Sequence, residues 1–168
     1  MYAVGSKVVH PSHGAGTIVG IQQKRIGDRS REYYIIDTVD QSMQLMVPVR
    51  RAEDGRLRQV GREAKLREVL ATLCVTPPED KGLDDYRTRR SVIGDKLKTG
   101  RFEEAASAVR SLFFRGCQRR LGMTDRQMLK DGKDFLAGEL ALAADLELAE
   151  AVEEIQDGLA QMLPADGG

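Results

Sequence analysis

The chain has 168 residues and 41% hydrophobic content, which suits one medium domain or two small ones with a true core. Aromatics make up 5% and Trp is absent, so that core must be mostly aliphatic. Net charge is zero, no apolar run nears the roughly 20 residues of a membrane span, and Met1-Tyr2-Ala3 opens no signal peptide, so a soluble, cytoplasmic protein with no membrane partner is expected.

The first sixty residues read as strands. Lys7-Val8-Val9 is a short β-branched run, and Pro11-Ser12-His13-Gly14 is a dense turn signal. Thr17 to Gln23 and Arg31 to Ile36 flank a turn at Ile26-Gly27-Asp28. After a turn at Val39 to Ser42, Met43 to Val47 forms a strand that ends at Pro48, as suits an edge. Leu57 to Val60 closes the set. Five short strands in so few residues predict a small SH3-like or Tudor-like barrel.

From Arg62 the period changes to that of helices. Ala64, Leu66, Val69, Leu70 and Leu73 follow i, i+3, i+4 spacing, so a helix ends near Cys74. Thr76 to Gly82 is a loop with paired prolines. A second helix runs from about Asp84 to Lys98 and stops at Thr99-Gly100, where Gly suits a left-handed C′ position. The third starts near Phe102 and ends by Gly122. Thr124 to Gln127 is a capping-box pattern that starts the fourth, and the last covers about Glu147 to Met162. Pro164 to Gly168 is expected to fray. The fold class is α+β: a barrel over residues 1–61, then a bundle of about five helices over 62–168.

Charge is segregated along the chain. Tyr86 to Arg120 holds ten basic residues against three acids, while Asp134 to the end holds nine acids and no base. Either the acidic end neutralises the basic block within the chain, or the block faces an anionic partner. Within it, Tyr86, Arg87, Arg89, Arg90, Lys96 and Lys98 make the second helix the DNA-binding candidate. Arginines supply phosphate contacts, and an aromatic among them can stack on a base or wedge into the minor groove.

Three stretches carry a family resemblance: Val4 to Ile21, with its Pro-Ser-His-Gly corner; Met43 to Val49, ending in a Val-Pro step; and Gly138-Glu139-Leu140-Ala141-Leu142-Ala143. Their order and spacing resemble the CarD/CdnL family of bacterial transcription regulators, over roughly Tyr2 to Leu163. The resemblance implies a barrel that binds the β subunit of RNA polymerase, and a helical part that contacts promoter DNA near the transcription bubble. It points to Met43, Met46 and Pro48 on the barrel strand, with Lys24 and Arg25 at the hairpin end, for polymerase. By alternation Met43, Leu45 and Val47 share one face of that strand and Met46 the other. Met46 stands where some relatives carry Arg. Counting back from Thr99-Gly100, the family's wedging Trp falls on Tyr86.

Other chemistries find little support. His10 and His13 flank Pro11, but a metal site needs three or four ligands and this turn offers no Cys, Asp or Glu. Cys74 and Cys117 lie in helical patterns and are expected as buried, reduced thiols. With no phosphate loop, triad or nucleophile context, a non-enzyme without cofactor or metal is expected. The favoured reading is a regulator that stabilises the open promoter complex. The alternative is a polymerase-bound adaptor that recruits another factor without touching DNA. An RNA-binding barrel would need exposed aromatics, and alternation sends only one of Tyr33 and Tyr34 outward.

Overall fold

Five strands form one antiparallel sheet in the order β4-β3-β2-β1-β5: Lys7–His10 (β1), Gly14–Ile26 (β2), Arg29–Thr38 (β3), Gln44–Pro48 (β4) and Arg58–Gln59 (β5). The computed structural model describes residues 1–78 and 81–162, so Glu79 and Asp80 of the proline loop and the tail from Leu163 lie outside the described residues. Hydrophobic alternation drives the sheet into a barrel: Val8, Ile18, Tyr34, Ile36, Val47 and Leu57 bury their side chains together. A register shift between Ile18 and Gly20 bends β2. Beyond it, residues 21–32 are all exposed, so β2 and β3 extend past the core as a hairpin arm closed at Gly27-Asp28. That arm is longer than the sequence pattern suggests, because its outer half has no apolar face.

A helical turn at Val49–Arg51 (α1), continued irregularly through Ala52–Arg56, follows β4 and tucks Val49 and Ala52 into the barrel core. The strand reading of this region did not foresee it. The helical part comprises Glu63–Leu70 (α2) with a tighter turn at Ala71–Cys74, Tyr86–Lys98 (α3), Phe102–Gln118 (α4), Met123–Ala144 (α5) and Leu148–Ala160 (α6). Its core is aliphatic with one phenylalanine, as the composition requires: Leu66, Leu73, Phe102, Val109, Leu136, Leu140, Ile155 and Leu159. None of the described helices is long and apolar enough to cross a membrane.

Two local expectations need correction. No capping box forms at Thr124. α5 starts two residues earlier with Gly122 as N-cap, which leaves Thr124 inside the first turn and its hydroxyl engaged elsewhere. The box occurs instead on α6, where Glu147 and Glu150 satisfy each other's backbone. Both cysteines are free, but Cys117 is exposed because α4 ends at Gln118 and its last turn leaves the core. Cys74 is half-buried and donates to the Ala71 carbonyl at 3.2 Å.

Sheet and helices meet around α5. Glu139 is fully buried there and receives both terminal nitrogens of Arg58, at 2.7 Å for Nη1, together with the Gly61 amide at 2.8 Å. Arg58 also donates from Nε to the Gly100 carbonyl at 2.9 Å. Close approach depends on Gly138, where a Cβ would lie 3.0 Å from Val39 and 3.7 Å from Ala15. Gly100 has φ +72 and sits against Pro11, with no room for a side chain. The Pro11 turn and the Gly138-Glu139 step, far apart in sequence, are thus two sides of one junction.

Removing either partner of a buried pair is costly, chiefly through the charge left behind. Arg58 keeps a third of its side chain in solvent, whereas Glu139 keeps 1%. Arg58→Ala should therefore lower unfolding free energy by about 3–5 kcal/mol in urea titrations, and by more than Glu139→Ala. A second prediction concerns His10, whose Nδ1 accepts from the Ser12 amide at 3.0 Å. Burial, then the neighbouring His13 and Arg56 charges, hold its pKa below the usual histidine value. The neutral ring is thus the folded form: its contribution is full above about pH 6.5 and is lost as pH falls through the lower folded value. Stability should drop on acidification through that window, and His10→Asn should flatten the drop.

Candidate nucleic-acid and partner interfaces

The two candidate surfaces lie on different parts of the molecule. β4 is the sheet edge opposite β5, the strand through which Arg58 reaches the bundle. It pairs with β3 on one side only, from Tyr33↔Pro48 to Asp37↔Gln44. Leu45 and Val47 turn inward, while Met46 is 40% exposed, as alternation predicts. Met43 precedes the strand and is exposed instead of sharing the inner face; its carbonyl takes the Thr38 amide and hydroxyl. Pro48 is half-buried against Tyr33. Lys24 and Arg25 stand on the hairpin arm opposite Arg31 and Ser30. Met46 pairs with Ile35, four residues from Arg31, which puts Met46 itself about 14 Å from that point along β3 at 3.4 Å per residue. Pro48 pairs with Tyr33, two residues from Arg31, and lines one hollow with the arm residues Arg29 to Glu32, while Met46 lies farther along the strand.

Helix α3 begins with a true cap: the Asp85 carboxylate accepts from the Thr88 amide at 3.0 Å. Tyr86, Arg87, Arg90, Ser91, Asp95 and Lys98 line a shallow groove along one face. Tyr86 is 46% exposed. Arg89 is not part of this face. It is 6% exposed on the opposite stripe, four residues before the fully buried Ile93. Its Nε and Nη2 meet Asp125 Oδ2 at 3.0 and 2.9 Å, and Nη1 donates to the Leu83 carbonyl at 3.0 Å. The expected phosphate contact at Arg89 is therefore corrected: a guanidinium buried against a carboxylate is out of reach of a phosphate at the surface. Lys96, half-buried, donates to Ser107 at 2.9 Å and is partly withdrawn as well.

Among the described residues, no ion pair joins the acidic end to the basic block. The acids of that end pair with Lys7, Arg58, Arg67 and Lys130, none of which belongs to Tyr86–Arg120. Within the block only Arg89 and Arg115 form ion pairs among the described residues, with Asp125 and Asp84. Arg87, Arg90 and Lys98 are exposed and face solvent. The described residues contain no cluster of three metal-ligating side chains, and His10 and His13 stack at 4.9 Å in their turn.

Two family models match the chain. The model of the CarD-like/TRCF RID domain matches residues 2–61, and that of the CarD C-terminal domain matches residues 68–156. The chain belongs to the CarD family. It is also 29% identical over 140 residues to YdeB of Bacillus subtilis (strain 168), whose name proposes a transcription factor; the match covers 83% of this chain and 90% of that protein. As a CarD-family member the chain is a transcription regulator.

Sequence reasoning passed over Thr124 and Asp125 as parts of a helix cap. In this CarD-family chain they receive the Tyr86 hydroxyl and the Arg89 guanidinium from another helix. Truncating Arg89 would strand the buried Asp125 carboxylate. Arg89→Ala should cost about 3–5 kcal/mol of stability, while Arg87→Ala and Arg90→Ala stay within about 0.5 kcal/mol. Thermal melts of the three variants check this directly, and equal losses would put all three arginines on one face.

Proposed function

We propose that this protein stabilises open promoter complexes, held on RNA polymerase by its barrel and touching DNA with α3. The observation that carries the reading is the basic face of α3, whose Arg87, Arg90 and Lys98 have no ion pair among the described residues, with a half-exposed tyrosine at its start. Arg87, Arg90 and Lys98 would meet phosphates, with Lys96 in a lesser role. Such contacts are electrostatic and tolerant of sequence. Tyr86 would enter the minor groove at the upstream edge of the bubble. Unstacking a base step costs about a few kcal/mol, and stacking on an aromatic returns about 1–3 kcal/mol per base. The aromatic therefore contributes only where the duplex is already opening, which shifts the equilibrium without any chemical step.

For polymerase, β4 is the favoured contact with the β subunit. Its outer main-chain groups are free to pair with a strand of the partner, and Met43 and Met46 supply adaptable apolar surface beside them. Pro48 closes the strand, and Lys24 and Arg25 on the arm add charge some distance away.

Each half has its own test. Met46→Glu is expected to weaken polymerase binding at least tenfold with an unchanged melting temperature, since the side chain already lies in solvent. Replacing Arg87, Arg90 and Lys98 together should reduce the log–log salt slope of DNA binding by up to about 0.9 per lost phosphate contact. Tyr86→Ala should shorten open-complex lifetime while leaving polymerase affinity intact. A slope that stays constant would mark the arginines as a solvated face, and an unaltered lifetime would remove the aromatic from the mechanism.

A further inference from the structure

Tyr86 does not stand alone at the start of α3. Its hydroxyl donates to Thr124 Oγ1 at 3.2 Å, in the first turn of α5. The next residue, Asp125, is 3% exposed and holds Arg89, whose guanidinium carbon lies 5.7 Å from the Tyr86 ring centroid. The ring is thus tied at its hydroxyl and packed at its face by two residues that both lead back to the same turn of α5. Two tethers of this kind remove rotamer freedom from a side chain that is nearly half in solvent.

The residue on the other side of Thr124 is Met123, 80% exposed. Apart from the N-terminal Met1, no large apolar side chain among the described residues is more exposed. A lone exposed apolar residue needs no explanation, but this one adjoins the residue that accepts the Tyr86 hydroxyl. Arg126, exposed, follows three residues after Met123, and Arg87 and Arg90 flank Tyr86 on α3. Apolar groups rimmed by arginines fit the chemistry of an unstacked base step, where Met and aromatic side chains insert and cations meet the phosphates.

We propose that the DNA wedge is a composite tip built across two helices, with Tyr86 and Met123 as its apolar parts and Thr124 and the Arg89–Asp125 pair as its positioning residues. This rests on the DNA-contacting reading of α3 given above and names its partner surface more closely. Thr124 would hold the phenol ring at a fixed angle, so that insertion costs little additional ordering. Met123 would cover the second face of the opened step.

The test uses the full-length protein with RNA polymerase on a promoter carrying 2-aminopurine at the upstream fork. Thr124→Val removes the hydroxyl at constant shape, Thr124→Ser keeps it, Met123→Ala trims an exposed side chain, and Tyr86→Ala is the reference. Both Thr124→Val and Met123→Ala should shorten open-complex lifetime by three- to tenfold and reduce fork fluorescence, with melting temperature and polymerase affinity unchanged. Thr124→Ser should keep the wild-type lifetime, which a general packing role would not require. If Tyr86→Ala shortens the lifetime but either Thr124→Val or Met123→Ala does not, the composite tip is wrong and Tyr86 acts alone. If Tyr86→Ala itself has no effect, the DNA reading and the tip fall together.

Discussion

Glu139 is a carboxylate with no access to water, inside a helix that packs on a β-sheet, and the arrangement of the two halves depends on what satisfies it. Arg58 supplies a two-pronged ion pair from β5, and the Gly61 amide supplies a third donor from the end of the barrel. Such pairs often add little net stability, because desolvation offsets most of the attraction. Their cost appears when a partner is missing or misplaced, so the junction tolerates one docking geometry. Gly138 beside Val39 and Gly100 beside Pro11 bring the backbones close enough for the charges to meet. An exposed pair, Lys7 with Asp145, adds a carbonyl cap at the end of α5 through the Leu142 oxygen, and contributes less.

This junction has a functional consequence. β4, the candidate partner edge, lies at the far side of the sheet from β5, and α3 projects from the other half. A flexible link between them would give only an effective-concentration gain for the second contact. A fixed junction also sets the direction in which α3 points relative to the β4 edge. The last barrel residue, Gly61, is itself bonded to Glu139, so separating the two halves takes the Arg58 and Gly61 donors away from that carboxylate together.

Much of this was legible in the sequence, and the failures have physical causes. Period-2 alternation placed Leu45 and Val47 inside and Met46 outside, because one face of an edge strand must fill the barrel. Glycine before Arg101 marked the end of α3 correctly, at φ +72. Arg89 was misplaced because charge alone was read, when its position four residues before Ile93 already put it on the apolar stripe. Charge segregation was visible, but its outcome was not. Whether acids at the end of the chain reach Arg87 or Arg67 is decided by packing of α6 against the turn after α2, a long-range event. Thr124 was unreadable for the same reason: its motif is a good helix start, and only a tyrosine 38 residues away shows what the hydroxyl does.

The tyrosine itself makes sense in these terms. A phenol is smaller than an indole and carries a hydroxyl that must find a partner or stay in water. Here the hydroxyl has a partner on α5, so its polarity tethers the ring to a second helix. Arg89, lost to the phosphate face, carries its positive charge to the ring's face from within the fold, while Asp125 keeps that charge from being stranded. An arginine that contacted DNA would add affinity at every sequence, bound or free of an opening. Under the proposed function, one held behind the aromatic would act only through Tyr86, and so would favour the open duplex over the closed one.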